Sequence, residues 1–412
     1  MPVGEIRVIQ KEKVAMKYDF TTIMNREGKD AIAVDVVPIP GAEVKEGFSK
    51  IPMWIADMNF ATVPTIQEAV VERMAHPAYG YFMPSKEYYD SIIDWQKTRN
   101  GVEGIEPAHI GYENGVLGCV ASALNAFTSQ GEPILVHRPC YVGFLHVLED
   151  LGRKIIYSDL VKDENGTWRM DFADMDKKIK ENNIHFVIFC TPHNPTGRVW
   201  EREEIEGAMK VYKDNDCVVI SDEIWSDLIL EGHKHIPTQT ISEDAKQRTI
   251  AIYAPSKTFN LAGLIGSYHI IYNKYLSDKV KREGSLTHYN SMNVLSMHAL
   301  IGAYKQEGHE WLGELRQVLK QNVDYAYDFI TENFKGVKLS KPQGTYMLFL
   351  DVEEWLKENG KTLDELLKAG VEVGVVWQDG RQFSVDNSIR MNLAVPHSLV
   401  VEAMDRLKKH VF

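Results

Sequence analysis

Cysteine is scarce in this chain. Four occur among 412 residues, at Cys119, Cys140, Cys190 and Cys217, each in or beside an apolar run, with no CxxC pair and no zinc-type spacing. That excludes a disulfide-stapled scaffold and leads us to expect buried free thiols in a reducing compartment. No stretch approaches the roughly 18 apolar residues of a membrane span, and residues 1–10 lack the apolar centre of a signal peptide. We therefore expect a cytoplasmic protein with no membrane partner. Positive charge is outnumbered, with 46 Lys and Arg against 58 Asp and Glu for a net charge of -12, so phosphate backbones are repelled and no nucleic-acid partner is expected. Internal repeats and low-complexity tracts are missing too.

What is present is ordinary globular composition, 44% hydrophobic and 25% charged, which excludes a disordered chain. Short β-branched runs at 133–137, 186–190, 218–221, 249–253 and 267–272 read as buried strands, with helical stretches such as 116–129 and 202–214 between them. Strand alternating with helix predicts an α/β fold with a mostly parallel sheet covered on both faces. From about residue 291 the pattern changes to helices at 294–306 and 310–332, a strand pair near 346–351 and 389–393, and a closing helix at 398–410. We expect an arm over 1–50 packing with the small domain, a large domain over 51–290, and a smaller α+β domain over 291–412.

Ligands in such sheets collect beyond the carboxyl ends of the strands. Lys257 follows the run 249–253, where desolvation lowers an amine's pKa and lets it attack a carbonyl; a solvated loop lysine is the competing reading. Asp222 ends the run Val219-Ile220-Ser221 and is followed by Glu223, and two carboxylates there need cationic or donor partners. Asp222 could equally cap the next helix. Thr191 to Gly197 forms a rigid turn presenting Asn194, although such a turn needs no function. Asn114 to Gly118 opens a helix whose first amides suit a phosphate, with Ser256 able to add a hydroxyl. Tyr141 is either a ring stack or core, and Arg390 either a carboxylate fork or a structural ion pair. The histidines at 233 and 235 are too close and too loop-like for a metal site, and no metal is expected.

In order, these segments resemble the fold-type I pyridoxal-phosphate enzymes of the class I/II aminotransferase superfamily, and more narrowly its cystathionine β-lyase-like (MalY/PatB-type) carbon-sulfur lyases. The resemblance runs from Met16-Lys17-Tyr18-Asp19-Phe20 through residues 52–58, Tyr79-Gly80-Tyr81, 192–200, 221–224, 232–237 and 254–264 to Arg390. It implies pyridoxal 5'-phosphate held by Lys257, with Asp222 on the pyridine nitrogen, Asn194 on the ring oxygen and Tyr141 stacked on the ring. It further implies a phosphate cradle of Val116, Leu117 and Ser256, completed by Tyr81 of a neighbouring subunit in a homodimer. Arg390, with Ala56 and Asn194, would hold an amino-acid substrate. Trp225 stands near the ring oxygen where related enzymes carry His or Tyr, and its indole donates but never accepts. The run from Gly380 to Asn387 replaces a glycine-rich stretch, and Asn59 and Cys140 stand where Asp and a small aliphatic residue are common. Residues 1–15 precede the usual start. The implied activity is β-elimination from S-substituted cysteines, with transamination as the alternative and a cofactor-binding regulatory protein as a third reading.

Overall fold

The five runs read as strands, joined by two that the sequence does not single out, Ile110–Glu113 and Lys154–Asp159, pair into one central sheet, in a computed structural model that describes residues 16–287 and 290–412. They are β1 (Ile110–Glu113), β2 (Pro133–Arg138), β3 (Lys154–Asp159), β4 (Phe186–Cys190), β5 (Val218–Asp222), β6 (Thr249–Tyr253) and β7 (Ser267–Ile270). Their spatial order is β1-β7-β6-β5-β4-β2-β3, and only β7 runs antiparallel to its neighbours. Every residue of β4 and β6 is buried, as strands covered on both faces must be. Alternation divides them between two apolar layers: Ile188, Ile220 and Ile252 enter one, Val187, Phe189 and Val219 the other. Helix α1 (Gly115–Phe127) buries Val116, Cys119, Val120 and Ala123 on the first layer, and α2 (Arg202–Asp214) buries Ile205, Ala208 and Tyr212 on the second. This is the α/β sheet the sequence predicts.

The C-terminal part carries α3 (Val294–Ala303), α4 (Gln306–Asn333) and α5 (His397–His410) beside a second sheet. That sheet joins β8 (Lys338–Leu339), β9 (Met347–Asp351), β10 (Gln378–Asp379) and β11 (Ser388–Asn392) in the antiparallel order β8-β9-β11-β10. The sequence predicts β9 and β11 but not β8 and β10, because two residues are too few to show alternation. The predicted helix 294–306 ends earlier, at Ala303, where the chain turns sharply. A Cβ on Gly308 would lie 1.8 Å from the Ala303 carbonyl oxygen, so the corner requires glycine. Gly308→Ala should cost about 1–3 kcal/mol, read as a lower denaturation midpoint with an unchanged slope.

Residues 1–15 of the expected arm lie outside the described residues. From Met16 on, the chain contacts the C-terminal part: the Lys17 ammonium pairs with Glu310 at 2.6 Å, and Ile51–Pro52 pairs in parallel with Val375–Val376. All four cysteines are buried and free. No helix among the described residues is long and apolar enough to cross a membrane.

Candidate active site

The carboxyl ends of β1, β4, β5 and β6 converge on one cavity of about 290 Å³. Asp222 is the last residue of β5, and Lys257 lies four residues beyond the end of β6. Val116 and Leu117 belong to the first turn of α1, where amide N–H groups have no partner within the helix. These residues, with Ala56, Tyr141, Asn194, Trp225 and Ser256, line the cavity. A second cavity of about 570 Å³ continues from it, sharing Ala56, Tyr141 and Lys257 and adding Arg390. Tyr81 is not brought to the site within one chain. Its side chain is fully exposed, at 110%, on a loop that also exposes Tyr79 and Met83.

The amine of Lys257 donates to the Ala56 carbonyl at 3.1 Å, and no carboxylate pairs with it among the described residues. Burial, reinforced by the charge of Arg390, lowers its pKa to about 8, while Asp57 and Asp222 pull the other way. It is not a solvated loop lysine. Burial also raises Asp222 to about 7, opposed by the Ile224 amide, which donates to Oδ1 at 3.1 Å, and assisted by the charge of Glu223. Asp222 thus makes the capping contact with one oxygen, and no side chain donates to it among the described residues.

The adjacent carboxylate has the opposite environment. Glu223 accepts from the Tyr253 hydroxyl at 2.7 Å, His235 Nε2 at 2.8 Å, the Ser221 hydroxyl at 2.9 Å and the Thr238 amide at 3.0 Å. Burial pushes it up, yet these donors hold it below the usual carboxylate range. The two neighbouring acids are divided: Glu223 is tied into the buried structure, and Asp222, the one singled out in the sequence, faces the cavity. His235, set aside as a loop histidine, is part of that buried clamp, and its separation of twelve residues from Glu223 gave no signal of it.

Asn194 is delivered by the turn after β4. Gly197 holds that turn against the C-terminal part: it has φ +69° and a Cβ there would lie 2.5 Å from Pro342, so no other residue fits. Asn194 Oδ1 accepts from Arg390 Nη1 at 3.0 Å, joining the two sheets across the cavity. Arg390 is buried, and no Asp or Glu pairs with it among the described residues, so the ion-pair reading is not the one realised. Tyr141 borders both cavities, set edge-to-face on Phe144 at 5.3 Å. Trp225 forms a wall, edge-on to Tyr346 at 4.9 Å, with the Lys257 amine 6.0 Å from its ring centre.

A buried acid without a side-chain donor ends β5, a buried amine follows β6, and both face an arginine of β11 that pairs with no acid among the described residues. The family model for aminotransferase class I and II matches residues 50–407. The chain belongs to this family. Among its relatives, cystathionine beta-lyase PatB of Bacillus subtilis (strain 168) is 31% identical over 87% of this chain and 92% of its own length. Protein MalY of Escherichia coli (strain K12) is 30% identical over 92% of this chain and 95% of its own length. The crystal structure of the PLP-bound C-S lyase from Staphylococcus hominis superposes with a TM-score of 0.86 at 30% identity, covering 96% of this chain and 99% of that one.

The residues present suit the pyridoxal phosphate named in that structure. A pyridinium nitrogen needs a carboxylate, and no side chain among the described residues donates to Asp222; a phosphate needs amides and a hydroxyl, and the first turn of α1 and Ser256 supply them.

Proposed function

We propose that this member of the family is a pyridoxal-phosphate-dependent carbon-sulfur β-lyase, cleaving cystathionine or other S-substituted L-cysteines to pyruvate, ammonia and a thiol. The observation that carries this reading is the single cavity shared by the Lys257 amine and the Asp222 acid, opening toward an arginine that no acid neutralises. The bound cofactor supplies an electron sink for the negative charge developing at the substrate Cα.

The rest is the work of side chains. Lys257 would hold the cofactor at its aldehyde and, as a free amine, would take the substrate Cα proton as general base. A pKa near 8 leaves an appreciable share of its free amine neutral at pH 7, which an ordinary lysine lacks. Asp222 would keep the pyridine nitrogen protonated through its fixed charge. Val116, Leu117 and Ser256 would hold the phosphate, Tyr141 would support the ring, and Asn194 and Trp225 would serve the ring oxygen. Arg390, Asn194 and Ala56 orient the amino acid so that its Cα–H faces Lys257. Loss of the Cα proton then expels the thiolate from Cβ, and the released enamine hydrolyses to pyruvate and ammonia. The buried thiols agree with a cytoplasmic setting.

Incubation with cystathionine and no keto acid tests the reaction. Sustained pyruvate release supports the lyase; a single turnover per site that yields the thioether keto acid and no pyruvate indicates an aminotransferase, and cofactor binding without any turnover indicates a regulatory protein. The Lys257 environment gives a further expectation. Because only the neutral amine attacks the aldehyde, cofactor capture by apoprotein should speed up as pH rises from 6 and level off above about 8. Stopped-flow absorbance reads that profile.

Exposed Tyr81, with Tyr79 and Met83 beside it, supports a homodimer in which Tyr81 reaches the partner's phosphate. Tyr81→Ala and Lys257→Ala are then each poorly active alone. Co-expression should recover activity, since each hybrid dimer holds one site with both native residues. Two separately expressed variants showing no recovery when combined, while light scattering reports monomers, would exclude the shared site.

A further inference from the structure

Arg390 has five N–H donors, and three of them have acceptors among the described residues. Nη1 donates to Asn194 Oδ1 at 3.0 Å; Nη2 donates to the Trp54 carbonyl at 3.1 Å and to Gln378 Oε1; Nε–H is buried and has no acceptor among the described residues. The Phe383 ring covers one face of the guanidinium, 4.7 Å from its carbon. The edge formed by Nε and Nη2 is one that a carboxylate takes with both oxygens, and here Nη2 serves two neutral oxygens, those of Trp54 and Gln378.

Gln378 holds that position by construction. It lies directly opposite Arg390 in the β10–β11 ladder, is 6% exposed, and lines the cavity that contains Lys257 and Arg390. Its Nε2 donates to Gln382 Oε1 at 2.7 Å. A carboxylate only accepts, whereas an amide offers an accepting and a donating end. When a carboxylate takes Nε and Nη2, Gln378 Oε1 loses its donor and faces another oxygen. Turning the amide end for end removes that conflict: Nε2 then donates to the carboxylate and Oε1 turns to Gln382. A matching turn of the Gln382 amide lets its Nε2 donate to Gln378. No hydrogen bond is lost, and the orphaned Nε–H gains its acceptor.

We propose, resting on the reading of the reaction above, that Gln378 is a residue that binds the substrate carboxylate, its amide standing on Arg390 in the resting enzyme and turning to donate once an amino acid enters. Three donors, Arg390 Nε, Arg390 Nη2 and Gln378 Nε2, then converge on one carboxylate. Substrates bearing an ester or carboxamide there are rejected, because neither presents two anionic oxygens.

The test uses the cofactor-loaded enzyme with S-methyl-L-cysteine as substrate and 3-(methylthio)propanoate, the same acid without its amino group, as inhibitor. Gln378→Leu should raise KM and the inhibition constant together by about tenfold, the effect of one charge-assisted hydrogen bond, with a smaller change in kcat. Gln378→Glu sets an anion on Arg390 and should raise both by roughly a hundredfold or more. Gln382→Leu, which leaves Gln378 in place, should act in the same direction by about threefold. Unchanged or tighter binding of both acids in Gln378→Leu would show that the amide only competes for Arg390, and would overturn the proposal. Propanoate inhibition that responds to Gln378 in an enzyme releasing no pyruvate would instead sink the reaction assigned above and leave this inference standing.

Discussion

Lys257→Ala should reduce pyruvate release from cystathionine by roughly 10⁴-fold, as expected when nucleophile and general base are one amine. The loss has to lie in chemistry rather than in folding. Lys257 makes one hydrogen bond, to the Ala56 carbonyl, so the thermal midpoint of the apoprotein should fall little. Borohydride should fix the cofactor to the native chain and fail to fix it to the variant. Methylamine, small enough to enter the space left by the side chain, should restore part of the proton transfer, with the rescued rate rising as more amine is deprotonated. Undiminished turnover in the variant would assign the base elsewhere.

Asp222→Asn carries the second large effect and has a sign that can be worked out in advance. Burial raises this acid from 3.8 to about 7, so the folded apoprotein holds the proton more tightly than the unfolded chain. That contribution is fully present at pH 4 and is lost as pH rises toward 7, amounting to about 4 kcal/mol. Asparagine does not titrate. Without cofactor, Asp222→Asn should therefore match the native protein at pH 4 and exceed it in denaturant resistance at pH 8. With cofactor the order reverses, because the native carboxylate then has a pyridinium partner. The variant should bind cofactor roughly a hundredfold more weakly and lose most of its turnover. Equal apoprotein stabilities at both pH values would mean that Asp222 is not the desolvated acid described here.

These two positions were also the most legible in the sequence, for a physical reason. Both follow buried β-branched runs that alternate with helices, and that pattern alone directs their side chains to the open end of a parallel sheet. Asn194 and the first turn of α1 were readable on the same basis. Gln378 was not, because β10 is two residues long and leaves no periodicity. What spacing did not reveal is how Glu223 is held away from the cavity, since that depends on His235, Thr238 and Tyr253 arriving from two other segments. Arg390 was placed in its strand, but the absence of an acid beside it emerges only from the packing. Tyr81 marks a different limit: within one chain it touches nothing at the site.

The interval between β7 and β11 has a consequence for biosynthesis. The central sheet is complete once Ile270 has emerged, whereas the guanidinium fork at position 390 emerges about 120 residues afterwards. At 5–20 residues per second that is a delay of roughly 6–24 s, during which a ribosome-bound nascent chain carries the amine at 257 and the acid at 222 but not the arginine that faces them. The grip for amino acids is therefore the last part of the site to be synthesised.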